Sequence, residues 1–466
     1  MSGPPREKSG QVSRIGGAIR LLGLLIFAGF IIWATYYHRP DLNNEVYFKW
    51  GWRDLPIWRV IGSVALCALP FFAGQVLYHR RGAIALSLAL AALSSFLLML
   101  ACAAIQTDPP NLQNIPLIVR SQNDNGFFAD AQTLHGTGMT VGKLLRFYPE
   151  ISPQLDPHPR NKPPGPLVFN LLLIDLFGNN LRAAMIAGLT VAILAAAAVP
   201  GTYVLVARLT GNLTAGFSAA SFLALCPAPI LLCPTFDQSF LIFTIGLVLL
   251  WMFALGNGNP ISAAAFGLLL GATFFVTYLP AVLAIFLGAY TLIRFRKGNG
   301  TRILLLIVIA LTSFAVFYVV LWLLTGFNPI ATFAACWHNS QETLREMTAQ
   351  GYLPRKLPGT IPWDLYDFIR GSGWISAFLL GCYILTGWRD TANWRLSLLC
   401  VLQFIAVAVL GLIQCETSRV WMFMLPLLMI PIGLELSQWP FAARLATYFA
   451  LLAITAVMCQ STVFMV

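Results

Sequence analysis

Charge is what this chain has least of: Asp, Glu, Lys and Arg make up 10% of its 466 residues, where a soluble domain carries about 25%. That scarcity excludes an ordinary water-soluble enzyme. Histidine is rare, with five copies, and the nine cysteines form no CxxC or Cys/His group of metal-ligand spacing. Most cysteines lie inside apolar runs, where they read as small hydrophobes. No basic stripe interleaved with aromatics appears, so nucleic acid is not expected as a partner. Internal repeats are missing too, which argues against an inverted-repeat transporter. No small-residue cleavage site follows the first apolar run. Arg6, Lys8, Arg14 and Arg20 therefore introduce a retained span, not a removed signal peptide.

What the chain has in abundance is apolar sequence: 58% of residues are hydrophobic and the mean hydropathy is +0.75. Runs long enough to cross a bilayer fall near 18–37, 58–78, 83–106, 183–207, 213–232, 236–255, 261–279, 280–294, 303–325, 373–388, 395–413, 419–436 and 443–463. They predict an all-α polytopic membrane protein with about thirteen transmembrane helices. Its expected organisation is a tail 1–17, three helices over 18–106, a loop 107–182, helices over 183–326, a second loop 327–372 and helices over 373–466. The shorter run Pro166 to Phe177 contains Asn170 and Asp175 and is expected to be re-entrant or interfacial.

The net charge of +11 then has a simple source. Threading the spans from a cytoplasmic N-terminus puts Arg80/Arg81, Arg208, Arg294/Arg296/Lys297/Arg302, Arg389/Arg395 and Arg444 all on the cytoplasmic side. Membrane proteins favour that arrangement. The expected location is a bacterial inner (plasma) membrane, with both long loops outside. Loops of this length are uncommon unless functional or disordered, and their aromatic content argues against disorder. Within the second, Trp363 to Phe368 reads as a short amphipathic helix at the membrane surface.

The residues able to carry chemistry map to the same outer face. The first loop holds Asp124 and Asp130 beside Phe127 and Phe128, then His158, Arg160, Lys162 and Pro163-Pro164-Gly165. Asp237 lies in an outward turn between two spans, and Glu416 and Arg419 in another. Any one of these charges has an ordinary explanation as a solvated loop residue or a marker of the water boundary. Four clusters on one face are less easily dismissed, because ionisable groups at a membrane edge are functional candidates by default.

An outer loop with an Asp near aromatics, then a His/Lys-Pro-Pro-Gly element before the next span, resembles the GT-C superfamily of membrane glycosyltransferases. Its better-known members are the protein O-mannosyltransferases and the lipid A aminoarabinose transferases. His158-x-x-x-Lys162-Pro163-Pro164-Gly165 is similar to their proline-glycine region, and Glu416-x-x-Arg419-x-Trp421 to the late Arg of related bacterial family 39-like proteins. The resemblance covers about 105–440 and implies transfer of a sugar from a polyprenyl-phosphate donor to an acceptor, usually with inversion. One displacement needs a base and no protein nucleophile, a role open to Asp124 or Asp130. The leaving lipid phosphate needs fixed cations. Arg419 offers a two-pronged fork and Lys162 a point charge, with His158 as a hydrogen-bond donor and Glu416 holding the guanidinium. Asp237 and Arg160 are candidates for contacts to donor or acceptor. No particular cofactor is implied. A divalent metal is left open, although an isolated Asp is a poor cation site. The acceptor, whether glycan, lipid or protein, is not legible. The alternative is a transporter or flippase of lipid-linked sugars, which would need charges through the midplane of several spans. These spans are almost free of them.

Overall fold

The computed structural model describes residues 14–37, 51–52, 55–122, 126–295, 300–349, 356–414 and 416–462. Asp124 lies outside the described residues. Among the described residues the architecture is helical, apart from a two-residue antiparallel ladder pairing Gly51 with Thr462 and Trp52 with Ser461.

Nine helices among the described residues are long and apolar enough to cross a membrane: Gly16–Tyr36, Ile57–Arg81, Ile84–Ala104, Leu181–Thr210, Leu213–Leu231, Phe236–Asn257, Gly300–Thr325, Thr391–Val409 and Phe441–Met458. They make a multi-pass membrane protein and coincide with nine of the expected spans. The other four expected spans are shorter. Pro260–Val276, Leu279–Phe295 and Met422–Ser437 are apolar helices of 10 to 17 residues, and Ile375–Arg389 joins Ile361–Gly371 at a bend of 104°. At about 1.5 Å per residue, 17 residues reach about 25 Å, short of the roughly 30 Å hydrocarbon core. The break between the first two falls at Thr277 and Tyr278, and Pro280, which lacks an amide donor, sits in the first turn of the second.

Burial explains how short helices are accommodated. Met422–Ser437 has no lipid-facing stripe: Trp421, Met422, Phe423, Leu427, Met429, Ile430 and Ile432 are all fully enclosed. A helix apolar on every side belongs inside a bundle. Its partner is Leu213–Ala224, and the two approach so closely that a β-carbon on Gly433 would meet the carbonyl oxygen of Ala215 at 2.4 Å. Small residues permit this contact, the usual route to tight packing between membrane helices. Gly300–Thr325 is the opposite case, with only 17% of its apolar window buried.

Side-chain contacts identify the two ends of the bundle. At one, His79 stacks on Phe441, Asn393 donates to the Thr210 carbonyl, Arg444 reaches Ser218 and Arg302 caps Asn257. The helix ends there carry Arg80, Arg81, Arg208, Arg389 and Arg395, with Asp390 and Glu435 as the nearby carboxylates. Glu435 is fully buried and paired with Arg20 at 2.7 Å. The opposite end mixes both signs and is covered by the polar segments. The described residues of segment 105–180 fold into short helices, ending in Gly165–Phe177, whose 13 residues reach about 20 Å. That length is too short to span. In the second segment, Pro329–Ala349 carries exposed Ile330, Phe333 and Trp337 along one side. Ile361–Gly371 departs from the expectation for Trp363 to Phe368. It is amphipathic, but Asp364, Asp367 and Arg370 face inward and are buried instead of lying on the membrane surface.

Candidate functional site

The mixed-charge end brings together five of the expected residues from three remote stretches of chain. Asp237, only 4% exposed, sits at their centre in the turn Phe236–Ser239. Its two oxygens face two cations: Lys162 Nζ lies 3.4 Å from Oδ1, and Arg419 Nε lies 3.6 Å from Oδ2. Arg419 also pairs through Nη2 with Glu416 Oε2 at 2.8 Å. His158 completes the group. It is pushed down to about 4 by burial first and then by the positive charges of Arg419 and Lys162, against a smaller opposing pull from Glu416 and Asp237. At neutral pH it is therefore an uncharged imidazole, able to donate one hydrogen bond and accept another.

Each residue is held from behind. The Tyr148 hydroxyl donates at 2.7 Å to the Lys162 carbonyl, which also accepts from the Cys336 thiol at 3.2 Å. Lys162 Nζ stands 5.5 Å from the centre of the Phe127 ring, a cation–π contact. Gly165 ends the Pro-Pro-Gly turn against bare backbone: a β-carbon there would lie 2.5 Å from Phe275 O and 2.8 Å from Val276 Cα. Neither atom is the far end of a flexible side chain, so Gly165→Ala must move one helix off the other. The expected cost is about 1–3 kcal/mol, the usual range for overpacking, read as a lower thermal midpoint of the detergent-purified protein. An unchanged midpoint would mean that the contact is not tight.

The Glu416–Arg419 turn is anchored by groups that were not expected. Ser418 donates its amide to Asp367 Oδ2 at 2.8 Å and its hydroxyl to Oδ1 at 2.7 Å, while the Thr417 hydroxyl donates to the Asp364 carbonyl at 2.5 Å. Arg370 lies beside them over the Trp374 ring at 5.7 Å. Asp364, Asp367 and Arg370 recur every three residues, so one face of the helix carries all three. That spacing is the signal in the sequence that these charges turn inward together. Strain collects at the same place. Glu416 and Trp374 are the non-glycine residues with positive φ among those described, at 49° and 48°. Such conformations persist only where surrounding structure enforces them, commonly at functional sites.

Asp130 stands next to this group without joining it. It lies one turn beyond Phe127, and its Oδ2 accepts the amide of Asp156 at 3.0 Å, two residues before His158. Burial raises its carboxyl to about 6, partly offset by that hydrogen bond. Arg160 points elsewhere, donating to Thr343 Oγ1 at 2.9 Å and pairing with Glu346. It ties the first polar segment to helix Pro329–Ala349, helped by Asn339, which donates to the Arg160 carbonyl at 2.9 Å.

Summed over Lys162, Arg419, Asp237 and Glu416, the formal charge of the group is zero. Glu416 is its exposed member, with 45% of its side chain open to solvent. Asp237, by contrast, is enclosed. Among the described residues no three His, Cys, Asp or Glu side chains gather at metal-holding spacing. A divalent ion finds no preformed donor set in them. Two apolar cavities lie among the helices, the first reaching Pro163, the neighbour of Lys162 in the chain, and neither lined by the five gathered residues themselves. One of about 430 Å³ is lined by Pro163, Tyr278, Tyr318 and Phe333, and a second of about 480 Å³ shares Phe274 with it and runs on between Trp251 and Leu311. No protein-family model matches the chain, and no curated protein is significantly similar to it.

Proposed function

We propose that this protein is a GT-C-type membrane glycosyltransferase that takes a sugar from a polyprenyl-phosphate donor at the extracytoplasmic face of a plasma membrane. The observation that carries this reading is the meeting of Lys162, His158 and Arg419 around Asp237 at one end of the bundle, with an apolar cavity reaching Pro163, next to Lys162 in the chain. A lipid-linked phosphate needs that combination: cations for its headgroup and an apolar path for its chain. Phosphate oxygens would take over the Arg419 fork as Glu416 moves out, with Lys162 as a second cation and the neutral His158 as a donor. Asp237 would keep both cations in register or hold a sugar hydroxyl.

In the reaction, an acceptor hydroxyl loses its proton to a carboxylate, and its oxygen bonds to the anomeric carbon as the bond from that carbon to the phosphate oxygen breaks. The electron pair leaves with the phosphate, where Arg419 and Lys162 stabilise it. Asp130, already raised to about 6, has a suitable basicity for the proton. The deciding experiment incubates the purified protein with a panel of labelled polyprenyl-phosphate sugars. Release of free polyprenyl phosphate supports a transferase; translocation of intact donor across vesicles without release would make it a flippase.

The same reading sets the orientation, with about thirteen membrane segments if the short helices are counted. The bundle end with Arg80, Arg81 and Arg208 belongs in the cytoplasm. On a cysteine-less background, Lys143→Cys should react with an impermeant thiol reagent added to intact cells, and Arg81→Cys only after lysis. The reverse pattern would overturn the threading and put the site in the cytoplasm.

A further inference from the structure

The cysteines carry a second inference. Cys102 lies in the last turn of Ile84–Ala104, and Cys459 immediately follows Phe441–Met458. They are 357 positions apart in sequence, yet their Sγ atoms lie 3.1 Å apart and both side chains are buried. Gln106 Nε2 donates at 3.0 Å to the Cys459 carbonyl, fixing the same two helix ends a turn further on. Met99, one turn before Cys102, touches Gln238 beside Asp237 through its sulfur at 3.4 Å. The pair therefore belongs to the end of the bundle that holds the candidate site.

We propose that Cys102 and Cys459 form a disulfide in the working protein. A disulfide has sulfurs about 2.05 Å apart, so closure needs a shift of about 1 Å, within reach of small side-chain rotations. The extracytoplasmic side of a plasma membrane is where such bonds form and persist. Two thiols become one disulfide by exchange: two electrons and two protons pass to a disulfide-bearing oxidoreductase, whose own disulfide is reduced to a dithiol. Because both sulfurs end up enclosed, the exchange belongs to assembly, before the last helix seats. The cross-link would fasten the last helix to the third span, directly beneath the segment that leads to Asp130.

The inference rests on the outward orientation proposed above. The test is to trap thiols in intact cells with a permeant maleimide, purify the full chain, denature it, and alkylate with an isotopically distinct reagent before and after reduction. The expected result is two fewer alkylated cysteines before reduction than after, out of nine. Cys102 and Cys459 should appear in one linked peptide, with a mass lower by about 2 Da than the dithiol form. In Cys459→Ser, Cys102 should become alkylated without reduction. Mapping the wild-type chain decides the matter even if that variant does not accumulate. Full alkylation of both before reduction, or Cys102 linked to another cysteine, overturns the proposal. Labelling at Lys143→Cys keeps the failures apart: label at 143 with reduced Cys102 and Cys459 removes the cross-link and leaves the transferase reading standing.

Discussion

Replacing Arg419 by alanine should lower turnover by about 10²–10³-fold, the loss seen when one preorganised group facing developing negative charge is removed. The side chain is 8% exposed and held between Asp237 and Glu416, so its geometry is set before any ligand arrives. Arg419→Lys keeps the charge and loses the planar fork, and should fall between wild type and alanine. Removing a buried charge also leaves its partners uncompensated, here Asp237 with Lys162 alone. The thermal midpoint of each variant must therefore be measured beside its rate. Loss of activity in Arg419→Lys with the midpoint preserved supports phosphate binding. Wild-type turnover in Arg419→Lys, with activity lost in alanine only as the fold is lost, would reduce Arg419 to a structural anchor.

The second large effect is expected at Asp130. As the base, it must be ionised, and burial disfavours the anion, which is why its carboxyl stands near 6 and not in the usual range. The sign follows directly. Turnover should be flat above about 7 and should fall, one proton at a time, as pH drops through about 6. Asp130→Asn should reduce turnover by about 10²–10⁴-fold and remove that limb of the profile, while donor binding changes far less. Asp124→Asn is the parallel variant. If both asparagine variants retain wild-type turnover, neither residue is the base.

How much of this could be read from the chain depends on the range of each interaction. Spans such as 83–106 and 303–325 are local facts of hydropathy, and their helices appear where expected. The shortness of the run Pro166 to Phe177 was legible for the same reason, since its length alone limits how far it reaches. The gathering of His158, Lys162, Asp237, Glu416 and Arg419 was foreseeable only as a consequence of threading, which puts alternate loops on one side. It says which face, not which partner. The turn of Arg160 toward Glu346 followed no local rule, because that partner lies 186 residues away. Asp364, Asp367 and Arg370 were hidden by a different effect. A short helix with aromatics on one side and charges on the other looks the same whether its polar face meets water or Ser418. Cys102 and Cys459 had no signal at all, being two of many cysteines in apolar runs.

The enclosed helix Met422–Ser437 has a consequence for synthesis. It fills the middle of the bundle, yet more than four hundred residues leave the ribosome before it. Until then the faces of Leu213–Leu231 and Thr391–Val409 that will touch it have no permanent neighbour, and they must be covered by lipid or by one another. Arg419 enters the membrane just ahead of this helix. The first helices can therefore insert early without completing the charge cluster. A chain halted before Thr417 would carry Lys162, His158 and Asp237 but neither the guanidinium nor the plug, and on the reading proposed above would be inactive.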